Sequence, residues 1–190
     1  MGTAELITQA VAATGKVAAG LTMEHRSNAT PCADFDVHDL AAHMAGFYVG
    51  SATAAAKGER DADMDREALL GTNPPAALTD LSSNMAAAWN EAGAMDGSTH
   101  FGPGEVPAAM AANITVLETL LHGRDLAKAT GQSFDISADL ASASLATAQM
   151  MCNDDSRAGG FFGASVDVSE GSGDFDQALG LSGRDPNWSA

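Results

Sequence analysis

Residues 107–131 read PAAMAANITVLETLLHGRDLAKATG, and this stretch decides the fold. It opens on Pro107, a residue the first turn of a helix tolerates because an N–H there has no partner in any case. It closes on Gly131, the residue that most readily takes the left-handed turn ending a helix. Between them Met110, Ile114, Leu117 and Leu121 recur every three or four positions, one apolar stripe of helical period. The same grammar extends outward in both directions. Upstream, Pro74 and Pro75 start a helix carrying Leu78, Leu81, Met85 and Trp89 and ending near Gly93. Before it, Asp36 can cap a helix running to about Lys57, with Asp39 well placed for the positive end of the helix dipole. At the start of the chain, Leu6, Ile7, Val11, Val17 and Leu21 mark a helix over about 3–21, weakened by Gly15 and Gly20. Downstream, a fifth helix is expected over about 137–153.

The segments between these helices read as connections. Residues 58–73 hold Glu59, Arg60, Asp61, Asp63, Asp65, Arg66 and Glu67, a polar run expected to cross the surface. Residues 97–104 read as a loop, and the Gly-, Asp- and Ser-rich tail from Arg157 reads as irregular. The prediction is therefore an all-α fold in one domain over 1–190. Four long helices pack most simply as an antiparallel bundle, with an additional C-terminal helix and the tail lying against it. Of the 190 residues 39 are alanine, so helices can approach closely and the core is built from few large side chains.

Composition excludes several classes of function. Apolar residues make up 45% and charged residues 18%, a balance that buries a core rather than remaining disordered. Twenty-five acidic against nine basic residues give a net charge of −16, which repels phosphate backbones and anionic lipid surfaces, so neither nucleic acid nor membrane is an expected partner. No stretch reaches the ~18 apolar residues a spanning helix needs. The sequence MGTAE has no basic segment leading into an apolar run, so a cytoplasmic location is expected. An alanine-rich helical face leaves room for a homodimer. Two cysteines, Cys32 and Cys152, cannot build a disulfide framework or a four-thiolate zinc site. Cys32 reads as an inert thiol, and Cys152, beside Met150 and Met151, as part of a core-filling cluster. No phosphate-binding glycine loop, nucleophile elbow or dinucleotide fingerprint is present.

Chemistry concentrates on two helices. Glu118 and His122 are four residues apart, one turn and about 6 Å along a helix axis, so a carboxylate and an imidazole share one face. That spacing suits a metal ion but needs a third ligand. Asp125 lies nearly two turns beyond Glu118 and is a candidate to orient a ligating imidazole from behind, although a solvated charge is the simpler reading of this residue. On the second helix His38 and His43 are five apart, about 140° around the axis, and cannot both face one ion. His43, set among Leu40, Met44 and Phe47, is the inward one; His38 falls in the exposed first turn. Asp39, four residues before His43, can accept the second ring N–H, but helix capping explains it equally well. His25 and His100 lie in loop-like surroundings and read as exposed.

These residues sit inside longer motifs: TPCADFDVHDLAAH at 30–43, ETLLHGRDLA at 118–127, ATGQ at 129–132, and an ending that runs from Phe162-Gly163 to Gly183-Arg184-Asp185-Pro186-Asn187-Trp188. Together they resemble the metal-binding maleylpyruvate isomerase N-terminal family, a branch of the DinB-like helical bundles, and in particular its short actinobacterial members. The resemblance implies a four-helix core holding a divalent metal, usually zinc, with His43, Glu118 and His122 as ligands and an open position for water or substrate. Nickel, iron or copper also suit such a donor set. It further implies a low-molecular-weight thiol partner, mycothiol, bound through the metal as thiolate and acting on a small-molecule substrate. The activity expected is a thiol-dependent isomerase or S-transferase. A non-catalytic metal- or ligand-binding bundle, or a metal-dependent hydrolase with Asp39 or Asp125 as base, are the alternatives. Two positions depart from similar proteins: Arg124 stands where Trp is common and His38 where Arg is common, which places the differences at the rim of the site.

Overall fold

Asp36 shows how local chemistry sets the helix boundaries. Its carboxylate accepts from the Asp39 amide at 2.9 Å while Asp39 accepts from the Asp36 amide at 3.3 Å, a reciprocal box that satisfies two of the amides a helix start leaves unpaired. A computed structural model describes residues 1–59 and 61–189; Arg60, read above as part of the polar connection, and Ala190, the end of the expected domain, lie outside the described residues. The elements among them are α1 (Thr3–Ala19), α2 (Val37–Ala55), α3 (Arg66–Leu70), α4 (Pro74–Asn90), a hairpin of β1 (Ser98–Phe101) and β2 (Gly104–Pro107), α5 (Ala108–Thr130), α6 (Ala138–Met151), α7 (Asp154–Ala158) and α8 (Asp174–Leu181). Asn73 caps α4 ahead of its two prolines, Ser137 caps α6, and Gly131 ends α5 with φ +67°.

Side-chain pairings give the helix directions. His43 faces His122 and Ser51 meets Thr115, so α2 and α5 run antiparallel. Thr3 bonds Asn113 and Thr14 bonds the Thr119 carbonyl, so α1 and α5 run parallel. Trp89 bonds Ser51 and Lys57 reaches the Ala94 carbonyl, so α2 and α4 also run parallel, and the Thr8–Asn90 bond joins α1 and α4 head to tail. The bundle is thus all-α and up-down-down-up. The antiparallel packing expected holds for α1 with α4 and for α2 with α5, while the consecutive helices α2 and α4 point the same way. Residues 56–73 must therefore travel back along the bundle, which explains the length of this polar connection.

The main core lies between α1, α2, α4 and α5 and includes Ile7, Leu40, Met44, Tyr48, Leu78, Met85, Trp89, Leu120 and Leu126. Each buried leucine contributes about 1.5–3 kcal/mol. Alanines fill the seams, among them Ala10, Ala45, Ala111 and Ala112, all buried. A second cluster, Leu117, Leu121, Ala148 and Leu179, ties α5 to α6 and α8.

Three connections carry more structure than the sequence predicts. Residues 97–104, read as a loop, begin a hairpin in which Ser98 pairs with Pro107 and Phe101 with Gly104; Gly102, at φ +62°, supplies the left-handed turn. The buried Thr99 hydroxyl donates to the Ala54 carbonyl at 2.6 Å and docks the hairpin on the end of α2. The connection 56–73 contains α3, whose Leu70 is buried. The tail, read as irregular, contains α8, whose Ala178, Leu179 and Gly180 are buried. Among the described residues no helix is long and apolar enough to cross a membrane.

Candidate metal centre

Two helices supply the site, and their antiparallel packing places it. His43 lies in the second turn of α2, and Glu118 and His122 lie one turn apart on α5. One ligand atom from each falls within 4.8 Å of the others, a group that could hold a metal ion. The two imidazoles meet edge to face, ring centres 4.8 Å apart and planes at 74°. Phe35, in the turn before α2, covers the other side of His43 with its ring centre 5.3 Å away. Thr30 shapes that turn: its hydroxyl lies 2.8 Å from the Phe35 carbonyl and accepts from the Cys32 amide at 3.1 Å.

The site is backed by charge. His122 Nε2 is 3.3 Å from Glu118 Oε2, and its Nδ1 donates to Asp125 Oδ2 at 3.2 Å. That second bond fixes the ring and turns Nε2 toward Glu118, the arrangement in which a carboxylate orients a metal-ligating histidine. Asp125 is buried at 1% exposure, not solvated as its sequence setting favoured. What pays for its burial is Arg184, from the tail, whose Nε donates to both carboxylate oxygens at 2.9 and 3.1 Å.

Protonation follows from these contacts. Burial, with the nearby charge of His122, lowers the His43 pKa to about 4, so at neutral pH this imidazole is uncharged with a free lone pair. Burial also opposes a charged His122, but its bonds to Asp125 and Glu118 outweigh that and raise its pKa. Burial would push the Glu118 and Asp125 carboxyls up, yet His122 and Arg184 hold both below the usual carboxylate range.

The other sequence candidates separate cleanly. Asp39 is spent on the capping box of α2, and its carboxylate bonds Asp36 rather than His43. His38 faces away, 2.7 Å from Glu67, and His25 bonds Thr22. His100 is exposed on β1. Both cysteines are free thiols. Burial raises the Cys32 thiol, partly offset by Arg184, and burial pushes Cys152 up to about 11, so neither is an activated nucleophile. The residue that sequence reasoning missed as a participant is Arg184; it stood in the quoted tail motif, but nothing local linked it to a residue far back along the chain.

With this geometry in hand, the family model described as mycothiol maleylpyruvate isomerase N-terminal domain matches residues 7–127. The chain belongs to that family. The match spans α1 through most of α5 and so includes His43, Glu118, His122 and Asp125. The stretch that carries Arg184 lies beyond the matched residues. No curated protein and no solved structure matches the chain.

Proposed function

We propose that this protein holds a divalent metal ion, zinc by the character of its donors, through His43, Glu118 and His122, and uses it to act on a low-molecular-weight thiol of the mycothiol type in an isomerase or S-transferase reaction. The observation that carries the reading is the convergence of two imidazoles and a carboxylate within 4.8 Å, one imidazole backed by a buried aspartate. Two histidines and one glutamate form a donor set used by catalytic zinc, where three protein ligands leave a position open. Held by these three residues, zinc would lower the pKa of a bound thiol, the chemistry that makes a thiolate nucleophile at neutral pH.

The chain's own residues supply orientation and electrostatics. His43 is held neutral by burial and so offers its lone pair without first losing a proton. Glu118 contributes the anionic ligand, and Asp125 fixes the tautomer of His122. Phe35 packs against His43, their ring centres 5.3 Å apart. The family match supports a thiol partner. The hydrolase alternative loses its proposed bases: Asp39 serves the helix cap and Asp125 is engaged by His122 and Arg184.

Metal analysis of untagged protein tests this. The expected result is about one ion per chain in the wild type, lost in His43→Ala and His122→Ala, with mycothiol binding only to the loaded form. Metal content unchanged in both variants would refute the site. Retained metal with neither thiol binding nor thiol-dependent turnover would favour the non-catalytic bundle.

A further inference from the structure

Arg184 is 59 residues from Asp125 in sequence, yet its guanidinium lies against both Asp125 oxygens and its Nη2 is 3.5 Å from His122 Nδ1. Its side chain is 11% exposed, an unusual depth for an arginine, and Asp125 is its ion-pair partner. The route by which it arrives is also built. Arg157 donates to the carbonyls of Gly163, Cys152 and Leu181, and Arg124 donates to the Pro186 carbonyl at 3.3 Å. Gly183, at φ +88°, passes so close to the Gly163 backbone that a Cβ there would collide with it. The last turn before Arg184 is therefore fixed on both sides.

From this geometry we propose that Arg184 is a positioning residue of the candidate metal centre: through Asp125 it locks the ring orientation of His122, so that docking of the C-terminal tail completes a site whose ligands all lie on α2 and α5. The inference rests on the metal reading above but concerns a different residue and element. Asp125 can hold the His122 ring only if it is itself held. A carboxylate can rotate about its own side-chain bonds, and a single hydrogen bond from an imidazole leaves that rotation free. The Nε–H of a buried guanidinium, shared between both oxygens, restrains it and neutralises a charge that burial would otherwise expel. Partners standing behind a metal-ligating histidine commonly change metal affinity 10- to 100-fold when removed. Arg184 stands one step further back, and Asp125 transmits its effect.

The test compares Arg184→Gln, Arg184→Lys and Arg157→Gln with the wild type by two readouts. One is zinc affinity by competition with a chromophoric chelator. The other is the exchange-protected Nδ1 proton of His122 in metal-free protein, observed by NMR. Arg157 anchors the tail without touching Asp125 or His122, so its variant reports what loosening the tail alone does. Arg184→Gln is expected to bind zinc about 10- to 100-fold more weakly and to lose the Nδ1 signal. Arg184→Lys, which keeps a cation but loses the fixed Nε–H donor, should fall between, with the signal retained. Arg157→Gln should stay within about threefold of wild type, inside the ordinary scatter of substitutions outside a site. Wild-type affinity in Arg184→Gln, or equal losses in Arg184→Gln and Arg157→Gln, would overturn the proposal. Should Arg184→Gln fail to fold, Arg184→Lys decides: affinity several-fold below wild type supports it, and unchanged affinity overturns it. If wild-type protein binds no zinc, the metal reading fails on its own, and the Nδ1 proton still decides the arginine's role: lost in Arg184→Gln supports it, kept overturns it.

Discussion

Replacing Ser51 with alanine tests whether the packing of α2 on α5 is specified by a directional chain of hydrogen bonds. The Trp89 indole N–H can only donate, and it donates to Ser51 Oγ at 2.9 Å. Thr115 Oγ1 donates to the Ala111 carbonyl at 2.9 Å, so across the 2.7 Å Ser51–Thr115 contact the serine must be the donor. The chain therefore runs one way from α4 through α2 to α5. All three side chains are at most 1% exposed, so water cannot replace a missing partner without opening the core. In Ser51→Ala the indole N–H loses its acceptor, a cost of about 1–3 kcal/mol for an orphaned buried donor. In a domain of this size that lowers Tm by about 2–12 °C. Thr115→Val removes the other end of the chain, but there the Ser51 hydroxyl can turn to a carbonyl of its own helix, so the loss should be smaller. Urea unfolding followed by circular dichroism gives both values, and the order Ser51→Ala worse than Thr115→Val is the signature of direction. Trp89→Phe combined with Ser51→Ala should cost less than the sum of the single changes, because the orphaned donor is then absent. A Ser51→Ala loss under about 0.5 kcal/mol, the scale of an ordinary neutral substitution, or the reverse order would refute this account.

Other predictions follow from contacts at the site and tail. Zinc at a hundredfold over its dissociation constant should stabilise the protein by about 2.7 kcal/mol. A thermal scan should then show a rise of about 5–11 °C, reversed by chelator and missing in His122→Ala. Gly46→Ala should leave Tm nearly unchanged or raise it, since the new Cβ would meet the flexible stem of Arg66 at 2.9 Å while the helix gains propensity. Gly180→Ala should lower Tm and speed proteolysis of the tail, because there the Cβ meets the Val166 carbonyl oxygen, a backbone atom, at 2.7 Å. With its pKa pushed from 9.0 to about 11, the Cys152 thiol carries about a hundredfold less thiolate than an ordinary cysteine at neutral pH. Its alkylation by iodoacetamide, read by mass spectrometry, should climb about tenfold per pH unit from 8 to 10 and be far faster in urea; a rate flat over that range would contradict the burial.

Legibility from sequence followed the range of the interactions involved. Helix α5 was readable because its stripe, its starting proline and its terminal glycine are all local signals. The choice of His43 over His38 was equally local, a matter of angle around one helix. The parallel course of α2 and α4 was not readable, because it depends on where residues 56–73 travel, and among the described residues there Leu70 alone is buried. Helix α8 was hidden by the glycine and serine around it, since its stability comes from packing Leu179 against Leu117 and Leu121 rather than from propensity. Asp125 illustrates the limit most clearly: nothing local in the sequence marked it as buried, and solvation was the economical reading. The residue that reverses that reading arrives from the far end of the chain.

The acidity of the protein gives this last point further weight. With nine basic residues against 25 acidic ones, a cation is a scarce resource, and an exposed one would find carboxylates almost anywhere on the surface. Three of the nine are arginines that tie the tail to the bundle: Arg157 at three carbonyls, Arg124 at the Pro186 carbonyl and Arg184 at Asp125. Surface pairs contribute little because water screens them, whereas a guanidinium bonded to a buried carboxylate, as Arg184 is to Asp125, is both stronger and directional. Docking the tail this way does two things at once. It covers the α5–α6 seam with α8, and it delivers a guanidinium that, with His122, holds the buried Asp125 carboxyl below the usual carboxylate range, while Asp125 accepts from His122 Nδ1. His43, Glu118 and His122 belong to the part of the chain that the family shares, and the arginine that holds Asp125 behind His122 comes from the part beyond it.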